Sequence, residues 1–308
     1  MHGWIILDKP KGLGSTQAVA AVKRNLREAG FGKVKVGHGG TLDPLASGVL
    51  PIAVGEASKL CGRMLDASKA YDFAIAFGSE TDGLDAEGQV VATSEYRPTL
   101  AEIEAIMPSF VGPIEQIPPA FSAVMIDGKR AYDRARAGED VEMKARQVTI
   151  HSLRVSASPR EQNILTRRRG DAEKLDSVAL SADVSKGTYI RSLARDIAKA
   201  LGTVGHVTML RRTRAGPFTL ENAISLDKLN AFGQGAAQDI ILPLEAGLVD
   251  IPALDLSPEQ ARAIRQGRVL TGIAMKDGLH WARGADLRPV ALVENIDGEL
   301  RTVRGFNL

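Results

Sequence analysis

The sequence predicts an α+β fold, and three observations lead there. Several separate segments alternate apolar and polar residues, as half-buried strands do. One segment carries an apolar stripe at helical spacing. The two kinds of element follow one another without the regular strand–helix alternation of a doubly wound fold. With 308 residues, 44% of them hydrophobic, the chain is long enough for one large core and a small second domain.

An apolar segment (residues 4–7) precedes Ser15 or Thr16, either of which opens a helix. Val19, Val22 and Leu26 recur along that helix and Gly30 ends it. A loop rich in glycine (Gly37, Gly39, Gly40) leads into an apolar segment that runs to Val54. Tyr71, Phe73, Ile75 and Phe77 alternate with Asp72, Ala74 and Ala76, which predicts a strand with one buried face. Asp82-Gly83 and Glu87-Gly88 mark turns, and Thr99 with Glu102 forms a capping box ahead of Ile103, Ile106 and Met107. Val148 and Ile150 predict a further strand.

Residues 158–176 are polar and highly charged without periodicity, which predicts a mobile excursion between two strands. Val178, Leu180, Ala182 and Val184 alternate again, and a Lys186-Gly187 turn feeds the clearest helix. Ile190, Leu193, Ala194, Ile197, Ala198 and Leu201 make its apolar stripe, closed by Gly202. Residues 233–247 are rich in small side chains and are the best candidate boundary. Beyond them, Ser257-Pro258-x-Gln260 caps a short helix ending at Gly267, and strand-like pieces (290–293, 300–303) suit a small β-rich module.

Composition excludes several classes. The longest apolar stretch, residues 49–54, is far too short to span a membrane and contains a proline. The opening residues have neither a basic leader nor an apolar signal core, so export is not expected. A single cysteine, Cys61, rules out a disulfide framework and any multi-cysteine metal site, and suits a reducing cytoplasm. No Walker A or G-x-G-x-x-G sequence supports a nucleotide cofactor, and no G-x-S-x-G elbow supports a serine hydrolase. The five histidines are scattered with no H-x-x-x-H pair, against a zinc hydrolase.

Charge is informative only in its distribution, because 39 Lys and Arg against 37 Asp and Glu leave +2. Arg167–Arg169, the group Arg211, Arg212 and Arg214, and the helix residues Lys23, Arg24 and Arg27 are local concentrations. Each alone reads as a solvated surface; together they raise the case for a polyanion partner, since arginine forks match phosphate.

The segment Gly37-His38-Gly39-Gly40-Thr41-Leu42-Asp43-Pro44 stands out. Its glycines permit tight turns and leave room for a ligand beside the main chain, and Pro44 restricts the backbone of Asp43. By spacing alone, an Asp-Pro turn or helix cap, with His38 a partly buried loop residue, is a better reading than a catalytic carboxylate.

Residues 37–59, GHGGTLDPLASGVLPIAVGEASK, closely resemble the signature of the TruB family, the synthases that make pseudouridine at position 55 of the tRNA T-loop. Other segments match the family in order: Lys69-Ala70-Tyr71-Asp72-Phe73, then Thr81-Asp82-Gly83-Leu84-Asp85, then residues 116–136 (QIPPAFSAVMIDGKRAYDRAR), SKGTYIR at 185–191, and Leu210-Arg211-Arg212. The resemblance covers about residues 3–230 and implies a mixed, largely antiparallel sheet flanked by helices as the catalytic domain (1–245). The remaining residues, 246–308, resemble a PUA-like RNA-binding domain in position, length and strand pattern.

The resemblance also implies roles. Asp43 matches the catalytic aspartate of a reaction that breaks the N1–C1′ bond, turns the uracil and rebonds C5 to C1′. Arg191 matches the arginine that pairs with it, and Tyr71 the tyrosine that stacks on the uracil. Tyr189 and Leu210 match pocket-lining residues, and His38 the histidine that takes the displaced base's place in the stack. Without the motifs, Tyr71, Tyr189 and Leu210 read as core, Arg191 as an exposed helix residue and His38 as an ordinary loop residue. The implied enzyme needs no cofactor and no metal, acts on the T arm of tRNA as a monomer, and has no obligatory protein partner. Gly39 stands where the family commonly has threonine, which predicts a looser loop. Phe121 and Met125 replace a tyrosine and a lysine, each removing a polar contact. Two rival readings are an RNA-binding or tRNA-folding chaperone and the same isomerisation on other RNAs; the set Asp43, Tyr71 and Arg191 argues against binding alone.

Overall fold

The computed structural model describes residues 1–156, 173–231, 240–273 and 275–308. Arg167–Arg169, most of the charged excursion at 158–176, and residues 233–239 of the candidate boundary therefore lie outside the described residues. The chain divides into two compact units, one of residues 1–44, 48–65 and 215–308 and the other of residues 45–47 and 66–214. Strands and helices are mixed in both, as an α+β class requires.

In the first unit, the strand Gly3–Lys9 pairs antiparallel with Ser47–Val54, Ile5 opposite Ile52 and Leu7 opposite Leu50. Both strands are buried on both faces, which is why they read as continuous apolar runs rather than alternating ones. The helix Ser15–Glu28 covers one face, packing Ala18, Val22 and Leu26 against Ile5, Leu7 and Ile52. Its N-cap is Gly14, not Ser15 or Thr16, and the Gln17 side chain accepts the Gly14 N–H at 2.7 Å. It ends as expected: Gly30, at φ +86°, follows the cap while Phe31 N–H reaches back to Leu26 O. On the other face, Trp4 meets Phe218 with ring centroids 5.2 Å apart, in a cluster that also takes in Leu292 and Phe306.

The C-terminal residues of this unit form a five-stranded sheet in the order Ala253–Asp255, Gly278–Arg283, Pro289–Ile296, Glu299–Gly305, Leu270–Thr271. The first pair is parallel and the rest antiparallel. The helix Pro258–Arg265 packs Ala261 and Ile264 onto Val290, Val293 and Leu300, and carries the expected capping box between Ser257 and Gln260.

The second unit is built on an antiparallel run of strands: Lys69–Phe77 against Ser177–Val184, that against Arg146–Val155, and that against Gly112–Gln116. Gly205–Ala215 lies on the other side of Lys69–Phe77. The alternation at residues 71–77 predicts one buried face, but Ala74 is as fully buried as Phe73 and Ile75. An alanine on the second face leaves room for another layer, so it carries no polar signature of exposure. The helix Ile190–Ala200 buries its stripe and closes on Gly202 at φ +73°, with Thr203 N–H bonded to Ala198 O. The capping box at Thr99 and Glu102 forms as expected.

No helix among the described residues is long and apolar enough to cross a membrane. Among the described residues no group of three or more His, Cys, Asp and Glu side chains could hold a metal ion.

Candidate active site

The first unit supplies the glycine-built loop. The strand Val36–His38 pairs with Ser47–Val54, setting His38 opposite Ile52, and Gly39 N–H continues the pairing to Pro51 O at 2.8 Å. Gly39 is buried, and a Cβ on it would lie 2.5 Å from Cβ of Met64. The loop is thus not looser for lacking threonine; the Met64 side chain fills the space that a side chain at 39 would need.

The backbone on either side of Asp43 is fixed by specific hydrogen bonds. Ser15, buried at the start of its helix, donates its hydroxyl to Leu42 O at 2.9 Å and accepts Leu42 N–H at 2.8 Å. On the other side, Pro44 O accepts Gly12 N–H at 2.7 Å. Lys9, fully buried, donates to Leu13 O at 2.6 Å and so holds the turn that carries Gly12 and Ser15. The half-buried carboxylate of Asp43 therefore stands on a backbone with little freedom to move. Ser15, Gly12 and Lys9 support this loop and are not distinguished in the sequence; the only signal is the short segment Lys9-Pro10-Lys11-Gly12, which has no distinctive spacing.

The second unit holds the other expected residues. Arg191 lies in the first turn of its helix, where the dipole opposes a positive charge. It is buried and compensated: Nη1 donates to Gly83 O at 2.9 Å and to Asp85 Oδ2 at 3.2 Å, and Nη2 donates to Phe121 O at 3.0 Å. The exposed-helix reading of Arg191 is wrong, because tertiary packing closes over that turn. Asp85 is itself held, its Oδ1 accepting Glu87 N–H at 3.0 Å and its carbonyl accepting the Thr81 hydroxyl at 2.7 Å. Asp82 braces the same loop by accepting the N–H groups of Gly83 and Gln89. The segment Thr81-Asp82-Gly83-Leu84-Asp85 is therefore the cradle of Arg191, a partnership the sequence did not reveal.

Tyr189 caps the same helix, half-buried. Its N–H donates to Gln116 Oε1 at 2.7 Å and its carbonyl accepts Gln116 Nε2 at 3.1 Å, while the Arg146 guanidinium lies 4.6 Å from its ring centroid. Tyr71 sits half-buried on Lys69–Phe77 opposite Ala182, and Leu210 is buried on the neighbouring strand Gly205–Ala215. Phe121 contributes its main chain to Arg191, so the tyrosine-to-phenylalanine departure leaves that contact intact; Met125 is exposed.

The arginine groups do not all face solvent. Arg212 is buried, Arg211 donates to Ser47 Oγ at 3.3 Å, and Arg214 pairs with Asp183 at 2.6 Å. All three lie on Gly205–Ala215, where Arg212 is enclosed and Arg211 and Arg214 are half-buried. Lys23, Arg24 and Arg27 are exposed.

Comparison with known proteins places this framework among the pseudouridine synthases, which are isomerases. Residues 27–190 match the TruB family pseudouridylate synthase N-terminal domain, and residues 191–249 the tRNA pseudouridylate synthase B C-terminal domain. Proteins named tRNA pseudouridine synthase B from Novosphingobium aromaticivorans and Zymomonas mobilis are 66% and 56% identical over the whole chain, covering 98% and 96% of their own lengths. A solved H/ACA RNP bound to a substrate RNA containing 2′-deoxyuridine has a chain that matches with a TM-score of 0.70 at 25% identity, over 99% of this chain and 85% of that one. A Cbf5–Nop10–Gar1 complex matches at 0.68 and 27%, over 99% and 84%. The chain belongs to the TruB family of pseudouridine synthases.

Proposed function

We propose that this enzyme converts the uridine at position 55 of the tRNA T-loop to pseudouridine. The observation that carries the reading is full-length identity of 66% to a protein named for acting on tRNA, with the motif residues in place. In this reading Asp43 is the essential carboxylate, used either to attack C1′ or to remove a sugar proton while the uracil is detached. The rigid support of Leu42 and Pro44 suits a group that must meet a ribose carbon within a fraction of an ångström.

Arg191 is the cation that keeps that carboxylate ionised, and Tyr71 stacks on the everted uracil. Tyr189 and Leu210 line its pocket, and His38 fills the gap left in the RNA stack. The catalytic domain spans residues 1–245, and the C-terminal part, 246–308, serves as a PUA-like grip on the RNA. The enzyme works in the cytoplasm as a monomer, without cofactor or obligatory protein partner. Its binding falls with salt, since an RNA backbone is the partner.

Release of tritium from tRNA labelled at uridine C5 tests the activity, and chemical mapping of pseudouridine in tRNA from depleted cells tests the position. Loss of pseudouridine at 55 alone is expected. Retention of that modification after depletion overturns the assignment.

A further inference from the structure

Arg146, the first residue of its strand, holds a position that the reading above leaves unused. Its guanidinium lies over the ring of Tyr189, at 4.6 Å from the centroid. Among the described residues, its Nε and Nη2 meet no acceptor although both are shielded from solvent. No carboxylate pairs with it among the described residues either, in contrast to Arg191, Arg195 and Arg214. The Lys186–Gly187 turn flanks it, since a Cβ on Gly187 would stand 3.7 Å from Nη1. The main chain of Tyr189 is fixed, because Gln116 bonds both its N–H and its carbonyl.

A half-buried guanidinium with two shielded, unmet N–H groups is a costly way to cover an aromatic ring, and a leucine or methionine would do so without that cost. What only the arginine supplies is a positive charge, without a carboxylate partner among the described residues and partly withdrawn from solvent, where it acts more strongly than at the open surface. We propose that Arg146 is a positioning residue that holds Tyr189 and, through that ring, favours the detached uracil as an anion. The inference rests on the reading of Tyr189 as a wall of the uracil pocket.

The chemistry requires such an anion. When the N1–C1′ bond breaks, its electron pair leaves with N1. C1′ is left bonded to an Asp43 oxygen, or doubly bonded to C2′ after the carboxylate has taken the C2′ proton. In either course the uracil carries one negative charge, spread over N1 and its carbonyl oxygens, until C5 bonds to C1′, either as the C1′–Asp43 bond breaks and frees the carboxylate or as C2′ takes its proton back from the Asp43 carboxyl. C5 then gives up its proton to a base and N1 takes one up from solvent. A fixed positive charge against the pocket ring lowers the barrier to that cleavage without touching the ribose.

The test is single-turnover isomerisation of tRNA by Arg146→Gln and Arg146→Lys, with tRNA affinity and thermal stability measured alongside. Arg146→Gln is expected to slow the chemical step about 10- to 100-fold with affinity changed less than about threefold, and Arg146→Lys to recover most of the rate. The Arg146→Gln defect in N1–C1′ cleavage, the step read on this substrate because its C5 has no proton to give up, should shrink on tRNA carrying 5-fluorouridine, whose uracil is the better anion. Equal slowing by both variants, or a loss confined to affinity, overturns the role of the charge. Should Arg146→Gln not fold, the lysine variant decides alone: a fall of more than about 100-fold in a folded, tRNA-binding protein overturns it. Activity of the wild type in the same assay separates this outcome from failure of the tRNA isomerase reading, under which no variant and no wild type would turn over.

Discussion

One hydroxyl, that of Ser15, satisfies both the amide and the carbonyl of Leu42, at 2.8 and 2.9 Å. Since Leu42 immediately precedes the aspartate expected to act on the ribose, this contact ties the start of a helix to the placement of the reacting group. Ser15→Ala leaves two buried backbone groups unpaired and should cost about 2 kcal/mol of stability. It should also lower kcat more than it raises KM, because the carboxylate loses its fixed position; urea unfolding and steady-state kinetics check both. An unchanged kcat would mean that the loop holds its shape without the serine.

Asp43→Asn should reduce turnover by on the order of 10⁴-fold or more while leaving tRNA binding intact. The asparagine keeps the size of the side chain and removes only its charge and basicity. Substantial product from this variant would refute the assigned role.

Arg191 and Asp85 form a buried pair 3.2 Å apart. Asp85→Ala removes one charged acceptor from a desolvated guanidinium, with an expected loss of about 1.5–3 kcal/mol and a marked fall in kcat. Asp85→Asn should recover part of the stability, since an amide oxygen still accepts, and less of the activity. Equal loss by both variants in thermal melts and turnover would count against the pair.

Gly39→Thr sets a side chain against Met64 Cβ and should destabilise the protein by about 1–3 kcal/mol through overpacking. In a Met64→Gly background the same change should cost clearly less, because glycine removes both the Cβ and the Cγ that the threonine would meet. A double-mutant cycle measures the coupling; simple additivity would show that Met64 is not what excludes the threonine.

Lys69 is buried and donates to Ala67 O at 2.6 Å; burial first, and then the Arg212 charge, lower its ammonium from 10.5 to about 8. Below about pH 8 it is charged in both states, and the fold carries the full penalty, on the order of 3 kcal/mol. Between about pH 8 and 10.5 the folded protein releases this proton while the unfolded chain keeps it, so this group's contribution to stability rises with pH. Denaturant unfolding across that range should show Lys69→Met more stable relative to wild type at pH 7.5 than at pH 10. A gap that does not narrow would mean the ammonium is not depressed.

What the sequence determined by itself is whatever depends on neighbours within a turn or two of chain. The capping boxes at Thr99 and Ser257, the glycine stops at Gly30 and Gly202, and the stripe from Ile190 to Ala198 are contacts among residues three or four apart, and their spacing is the interaction. The motif around Asp43 was readable for a different reason: its order of residues matches a family, although nothing in its spacing says why the aspartate should react.

Only the tertiary structure decided the rest. Ser15 meets Leu42 across 27 residues, Arg191 meets Asp85 across 106, and Trp4 donates to Leu244 O across 240. No periodicity records such pairings, because folding brings the partners together through the sheet and not along the chain. The same physics explains the misread arginines. A guanidinium is inexpensive at the surface and costly inside, so composition assigns it outward, and Arg191 and Arg212 are buried because groups distant in sequence were there to close over them.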